Sequence, residues 1–272
     1  MTTITETVTS SYRLTDAERL AFERQGCIKL RGVLDPDQLA PFGEVITEKV
    51  IELNTQHLPM EERDTYSKAF LQVGHLWKQS PVVDRFVRSP DLARLAADLL
   101  GVRSVRLYHD QALYKEPSGG ITPWHADQYY WPLSTDRAIT VWIPLQDTPA
   151  ELGPLTFAVG SHRFGMGRDL PISDESEARV ADYMLRQGYP VDDSPFALGD
   201  VSYHLGWTFH RAGPNTSTVP RRVMTIIYID GDMIIGEPTN DAQRADLKAC
   251  APGRQPGDRF DTELNPVLYP VP

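Results

Sequence analysis

From residue 102 the hydrophobic pattern changes to a period of two, and it keeps that period, in short runs, to about residue 235. Side chains alternate faces along a strand, so each run reads as a strand with one inward face. The runs are Val105 to Lys115, a segment ending at His125 and Asp127, Ala138 to Gln146, Leu155 to Val159, Asp200 to His204, Trp207 to Arg211, and the β-branched Arg222 to Ile229. Many short strands broken by Gly and Pro turns can bury their inner faces only by closing into a sandwich or a jelly roll. A polar, helix-prone stretch, residues 164–197, interrupts the series as a lid-like insertion.

The rest of the chain has other patterns. Residues 13–101 read as mostly helical. Thr15 and Glu18 form a capping box, Gly26 stops that helix, and Cys27 to Leu34 alternates as a strand. Asp35-Pro36 opens a longer helix ending near Asn54, residues 55–80 read as irregular, and Ser89-Pro90 opens a further helix ending at Gly101. Residues 1–12 are Thr/Ser-rich and expected to be disordered, and residues 236–272 read as an irregular tail. No linker divides the 272 residues, so one domain is expected.

A formal charge of −10, from 27 basic and 37 acidic residues, argues against nucleic-acid or anionic-membrane partners, which need clustered Lys and Arg. Cys27 and Cys250 have no paired spacing, as expected of free thiols in a reducing cytoplasm. The first residues lack a basic and apolar leader, and no run reaches the ~18 apolar residues of a membrane helix.

The chemistry concentrates in Thr122-Pro123-Trp124-His125-Ala126-Asp127. Residues i and i+2 on an extended segment share a face, so one imidazole and one carboxylate point the same way. That is two-thirds of the 2-His-1-carboxylate set that holds non-haem Fe(II) with open positions. His210 follows 83 residues later (210 minus 127), before the turn Gly213-Pro214-Asn215, and a closed barrel can bring it alongside. Taken alone it fits an ordinary core or turn histidine better than a ligand. Arg221, eleven residues further on, offers a bidentate donor for a carboxylate.

His125-x-Asp127, His210 and Arg221, with Trp131, Trp142-Ile143-Pro144-Leu145, Gly153-Pro154-Leu155, Gly160-Ser161-His162 and Gly199-Asp200, resemble the phytanoyl-CoA dioxygenase family of Fe(II)/2-oxoglutarate-dependent oxygenases. The likeness covers residues 105 to 230 well and the N-terminal helices more loosely. It implies a mainly β fold, a double-stranded β-helix (cupin-like jelly roll) with flanking α-helices, as a single oxygenase domain over 1–272. It implies Fe(II), 2-oxoglutarate and O2 as cofactors and co-substrates. His125, Asp127 and His210 become the metal ligands and catalytic set. Arg221 becomes the anchor of 2-oxoglutarate, with Trp142, Thr140 and Gln111 lining its pocket. Arg222 competes with Arg221, but neighbours on a strand face opposite ways. The family's serine or threonine two residues past the second histidine is Ala212 here, so that contact is absent or made elsewhere.

The implied reaction is oxidative decarboxylation to succinate and CO2, coupled to oxidation at a C–H bond of a small molecule. Related halogenases lack the carboxylate, so retention of Asp127 favours hydroxylation; ring closure and desaturation remain open. Gln128, Tyr129, Tyr130, Trp131, Phe70 and Trp77 are candidates for the substrate pocket. Secondary-metabolite tailoring, as in antibiotic biosynthesis, is the expected role, in a cytoplasmic monomer or homodimer. The competing readings are a cupin-like isomerase or hydrolase using another metal, and a non-catalytic ligand-binding barrel. His204, one strand earlier, is the alternative ligand. Asp200 is expected to cap a turn.

Overall fold

The computed structural model describes residues 6–271. Helix α1 (Asp16–Gln25) has the expected Thr15/Glu18 capping box and ends at Gly26 in the left-handed region. Strand β1 (Cys27–Leu30) leads to α2 (Pro36–Leu53), whose first turn is capped by the Asp35 side chain. The stretch expected to be irregular, residues 55–80, contains a short helix α3 (Thr65–Ala69) and a four-residue strand β2 (Leu71–Gly74). After it come α4 (Pro81–Val87), capped by Ser80, and α5 (Pro90–Leu100), capped by Ser89 and closed by Gly101.

The strands then follow nearly as the periodicity demands: β3 (Val105–Tyr114), β4 (Thr122–His125), β5 (Ala138–Pro144) and β6 (Leu155–Ala158). Helix α6 (Asp174–Gln187) lies inside the insertion, and β7 (Val191–Asp192), β8 (Val201–Leu205), β9 (His210–Ala212) and β10 (Val223–Asp230) complete the core. The expected Trp207–Arg211 strand begins three residues late. Thr208 is turned away to donate its hydroxyl hydrogen to Gly26 O, and Trp207 Nε1 donates to Asp136.

Two antiparallel sheets face each other in the expected jelly roll. The larger runs β1-β8-β5-β10-β3-β11, where β11 is Val267–Tyr269 and β2 adds to the far half of β3; the smaller runs β4-β9-β6-β7. Alternation along β5 shows the layering. Ile139, Val141 and Ile143 belong to the cluster that packs α1, α2, α4 and α5 onto the outer face, while Thr140 and Trp142 face inward. Burying each of those three aliphatics contributes about 1.5–3 kcal/mol. With both faces covered, β5 is buried along its whole length and β10 along all but its last residue, and each buried run is apolar apart from one threonine.

Two expectations need correction. Residues 8–12 are not free: Val8 is buried, Ser89 Oγ donates to Val8 O, and Ser10 Oγ donates to Val33 O. Residues 1–5 of that segment lie outside the described residues. The tail is not wholly irregular either, because Asn240 caps a ten-residue helix, α7 (Asp241–Cys250). Its cavity-facing side is mostly alanine, which carries little hydropathy signal, so the periodicity is weak. The insertion is packed rather than loose. Leu170, Val180 and Met184 bury with Trp124 and Phe209, and Glu177 accepts the Trp124 N–H.

The turn into β6 carries a positive φ of 65° at Gly153, and a Cβ there would stand 2.4 Å from Gly213 O. Gly153→Ala is therefore expected to cost about 1–3 kcal/mol through strain and this clash. Urea unfolding measures it; an unchanged midpoint would show that the two turns are not locked together.

Candidate active site

Strand β4 ends at His125, and Ala126 is still extended (φ −120°, ψ 127°) before Asp127 opens a 3-10 turn, Asp127–Tyr130. The i, i+2 geometry thus survives although Asp127 itself is past the strand. His210 opens β9, which pairs with β4 so that His125 and His210 are direct cross-strand partners. Their rings lie 4.1 Å apart between centroids. Asp127 Oδ1 is 3.8 Å from His125 Nε2 and 3.6 Å from His210 Nε2.

The orientation of each group is fixed from behind. His125 Nδ1 is 2.7 Å from Pro123 O, and His210 Nδ1 is 3.0 Å from Thr208 O. A carbonyl can only accept, so both Nδ1 atoms carry hydrogen and both Nε2 lone pairs point inward. On Asp127, Oδ2 accepts from Thr140 Oγ1 at 3.1 Å and meets His204 Nε2 at 3.2 Å, which leaves Oδ1 facing the two imidazoles. Burial opposes the charge on Asp127, but His210, His204 and His125 outweigh it and hold its pKa below the usual carboxylate range. Burial lowers His125 and His210, keeping both neutral. Two neutral imidazole nitrogens and one carboxylate oxygen are a donor set that fits ferrous iron.

These groups sit in a cavity of about 450 Å3 between the sheets. At its inner end lies Arg221, 2 % exposed, with its guanidinium carbon 5.7 Å from the Trp142 ring centroid. One terminal nitrogen donates to Gly153 O at 2.6 Å, while Nε is buried and has no partner. Burial lowers its pKa only to about 10, so it stays charged at neutral pH. An unmatched buried cation with an open donor suits an incoming carboxylate. Arg222 turns the other way and donates to Gln146 Oε1 at 2.6 Å.

Thr140, Trp142, Gln111, Phe70, Tyr130 and Trp131 all line the cavity. Thr140 is engaged by Asp127, and Gln111 Oε1 accepts from Gln72. Three other candidates do not line it. Gln128 is packed beneath Gly206 and donates to Thr135 O. Trp77 lies against the Arg88 guanidinium on the helical side. Tyr129 faces a separate surface groove. The hydroxyl missing at Ala212 has a neighbour directly across the ladder, because Thr122 pairs with Ala212 and lines the same cavity.

Several lining residues escaped the sequence reading: His109, Leu113, Thr225, Tyr66, Gln72, Ile172, and Ala242, Ala245, Asp246 and Ala249 on α7. His109, Gln111 and Leu113 recur at period two on β3, so two polar groups inside an apolar strand were the available signal. For α7 the signal was the Asn240 cap. Asp200, as expected, holds a turn, accepting from Gly32 N and Ala197 N.

A family model described as phytanoyl-CoA dioxygenase matches residues 22–223. The chain belongs to the phytanoyl-CoA dioxygenase family. Among its relatives, a probable alpha-ketoglutarate-dependent hypophosphite dioxygenase of Stutzerimonas stutzeri is 28 % identical over 157 residues, 55 % of this chain and only 54 % of that protein. The chain therefore spans little more than half of that curated relative's length. Solved structures match more fully. The non-haem alpha-ketoglutarate-dependent carbocyclase SnoK from nogalamycin biosynthesis is 26 % identical, with TM-score 0.77, over 96 % of this chain and 98 % of its own. The epimerase SnoN, solved with Fe3+, alpha-ketoglutarate and nogalamycin RO, is 26 % identical with TM-score 0.74, over 92 % and 96 %.

Burial pulls the His109 pKa down to about 3. Below about pH 6.5 an unfolded chain protonates this histidine while the folded protein does not, so its contribution to stability falls as pH drops. His109→Gln should gain on the wild type by up to about 1.4 kcal/mol per pH unit between pH 6.5 and 5. Asp110 and Asp246, raised by burial to about 7, push the opposite way but are common to both proteins. Urea unfolding at pH 6.5 and 5 reads the difference; parallel curves would contradict it.

Proposed function

We propose that this chain is an Fe(II)- and 2-oxoglutarate-dependent oxygenase that oxidises a C–H bond of a small molecule, releasing succinate and CO2, in secondary-metabolite tailoring. The observation that carries the reading is the pairing of two features in one cavity. One is the inward set of His125 Nε2, His210 Nε2 and Asp127 Oδ1; the other is the buried Arg221 guanidinium with its open donor. A barrel using another metal for isomerisation or hydrolysis needs no such carboxylate anchor, and one that only binds ligands needs no inward metal-donor set.

His125, Asp127 and His210 would hold iron, and iron bound there with 2-oxoglutarate would supply the oxygen-activating chemistry that takes hydrogen from a C–H bond. Arg221 would clamp the distal carboxylate, with Trp142, Leu155 and Thr122 walling that end. Thr140 and His204 act through Asp127, fixing which oxygen faces the metal position. Tyr66, Phe70, Tyr130 and Trp131 form the outer walls, where substrate would lie and water be displaced. Hydroxylation is the first reading. Oxidative ring closure is the second, favoured by the likeness to a carbocyclase.

Anaerobic titration of the apo-protein with Fe(II) and then 2-oxoglutarate should give a saturable visible charge-transfer band, absent in His210→Ala. In Arg221→Ala, loss of a charge-assisted contact worth about 1.5–3 kcal/mol should weaken 2-oxoglutarate binding about tenfold to a hundredfold. Folded wild-type protein that gives no band would overturn the reading. His125→Ala and Asp127→Ala are each expected to abolish 2-oxoglutarate-dependent O2 uptake while leaving the circular dichroism spectrum unchanged; normal uptake in both would remove them from the site.

A further inference from the structure

The outer part of the cavity holds a carboxyl group, Asp246, whose pKa burial raises to about 7 and which no cation among the described residues there balances; a cation donating to it would favour its ionised form. Asp246, on the inner side of α7, lines the cavity beside His109 of β3. Its Oδ2 accepts from Tyr108 OH and its Oδ1 from the Cys250 thiol at 3.7 Å, both neutral donors. A carboxylate offers about four acceptor positions, so capacity remains. Asp246, His109 and Cys250 each present a ligand-capable atom, all within 4.8 Å of one another, yet no hydrogen bond joins Asp246 to His109 among the described residues. A gap of that size is spanned by one polar atom hydrogen-bonded to both sides at about 2.8 Å.

Among the described residues lining the cavity, Arg221 is the sole lysine or arginine, and it lies at the other end. Its backbone pairs with Lys115, just past the end of β3 and six residues from His109, or about 20 Å at the usual strand rise. With a dianionic co-substrate on Arg221 and a dication on His125, Asp127 and His210, that end is neutral. Asp246 remains. Around the mouth stand Tyr66, Phe70, Tyr130 and Trp131, whose ring faces attract cations. The same three groups could in principle ligate a metal ion. Burial, however, pushes the Cys250 thiol up, and that thiol's hydrogen is directed at Asp246.

We propose that Asp246, with the aromatic walls of the mouth, is the substrate anchor and selects substrates bearing a protonated amine on an apolar or aromatic body. Ala242, Ala245 and Ala249 leave room along α7 for that body. The amine nitrogen would donate to Asp246, and the carbon to be oxidised would then lie between this anchor and the His125, Asp127 and His210 group. This inference rests on the oxygenase reading of the cavity.

The test uses the Fe(II)·2-oxoglutarate protein without oxygen and three probes of one shape: 1-naphthylmethylamine, 1-naphthalenemethanol and 1-naphthoic acid. Calorimetric titration should rank the amine at least about tenfold tighter than the alcohol and the acid, in line with a partly desolvated cation–π and ion-pair contact. Asp246→Asn should erase that preference, while Tyr108→Phe, which keeps the charge, should retain it. Should Asp246→Asn not fold, Ala245→Leu at the exposed mouth should weaken all three probes together and leave the charge-transfer band unchanged. Equal affinity for amine and alcohol in the wild type, or an amine preference surviving in Asp246→Asn, would overturn the proposal. The charge-transfer band in the same samples separates the failures. A band without amine preference sinks this inference alone; no band sinks the oxygenase reading.

Discussion

The division of labour between the two oxygens of Asp127 governs the rest of the site. One oxygen is occupied by Thr140 and His204, and the other faces two imidazole nitrogens. A carboxylate free to rotate would offer either oxygen or both, and the donor set would lose its shape. Here the inner face of the larger sheet prevents it, since Thr140 on β5 and His204 on β8 are direct cross-strand partners. Neighbouring strands thus act as a single clamp, and the helices buried against Ile139, Val141 and Ile143 keep β5 in register. A slip by one residue would put Thr140 and Trp142 into the helical layer and three aliphatics into the cavity.

The ionisable groups of the cavity are spread along it, Arg221 away from Asp246, and Asp127 with its histidines beside neither. Hydrogen bonding explains why Arg221 tolerates its burial only in part. Gly153 O satisfies one donor, and Nε is left without a partner. Such a group costs stability unless something binds it, which is why it marks a place for an anion better than any surface arginine would.

The sequence made the β core legible because burial on both faces forces apolar residues into short, well-punctuated runs. It also made His125, Asp127, His210 and Arg221 visible, because their order along the chain resembles a family pattern. What it could not resolve was the substrate wall. Gln128 follows Asp127 directly yet turns elsewhere, since proximity in sequence says little about which side of a 3-10 turn a residue occupies, and Trp77, from far earlier in the chain, packs against Arg88 instead. Conversely, α7 is 114 residues from Asp127 (241 minus 127), and its contribution is made of alanines and one carboxylate. Neither feature stands out in a hydropathy trace. His204 was readable only as a spare ligand; its actual place, behind Asp127 rather than beside it, depends on the β5–β8 register.

The cavity's outer boundary has a separate origin from its inner one. Ile172 comes from the insertion and Ala242, Ala245, Asp246 and Ala249 from a helix after the last long strand, whereas His125, Thr140, His204, His210 and Arg221 lie on or beside strands. These two sets share space but no strand or helix, although the outer-wall residues Tyr130 and Trp131 follow closely on Asp127. Reshaping the alanine side of α7 would alter what can enter without disturbing a hydrogen bond that orients the inner groups. In this architecture the metal-facing groups and the alanine-lined wall are separable parts of one cavity.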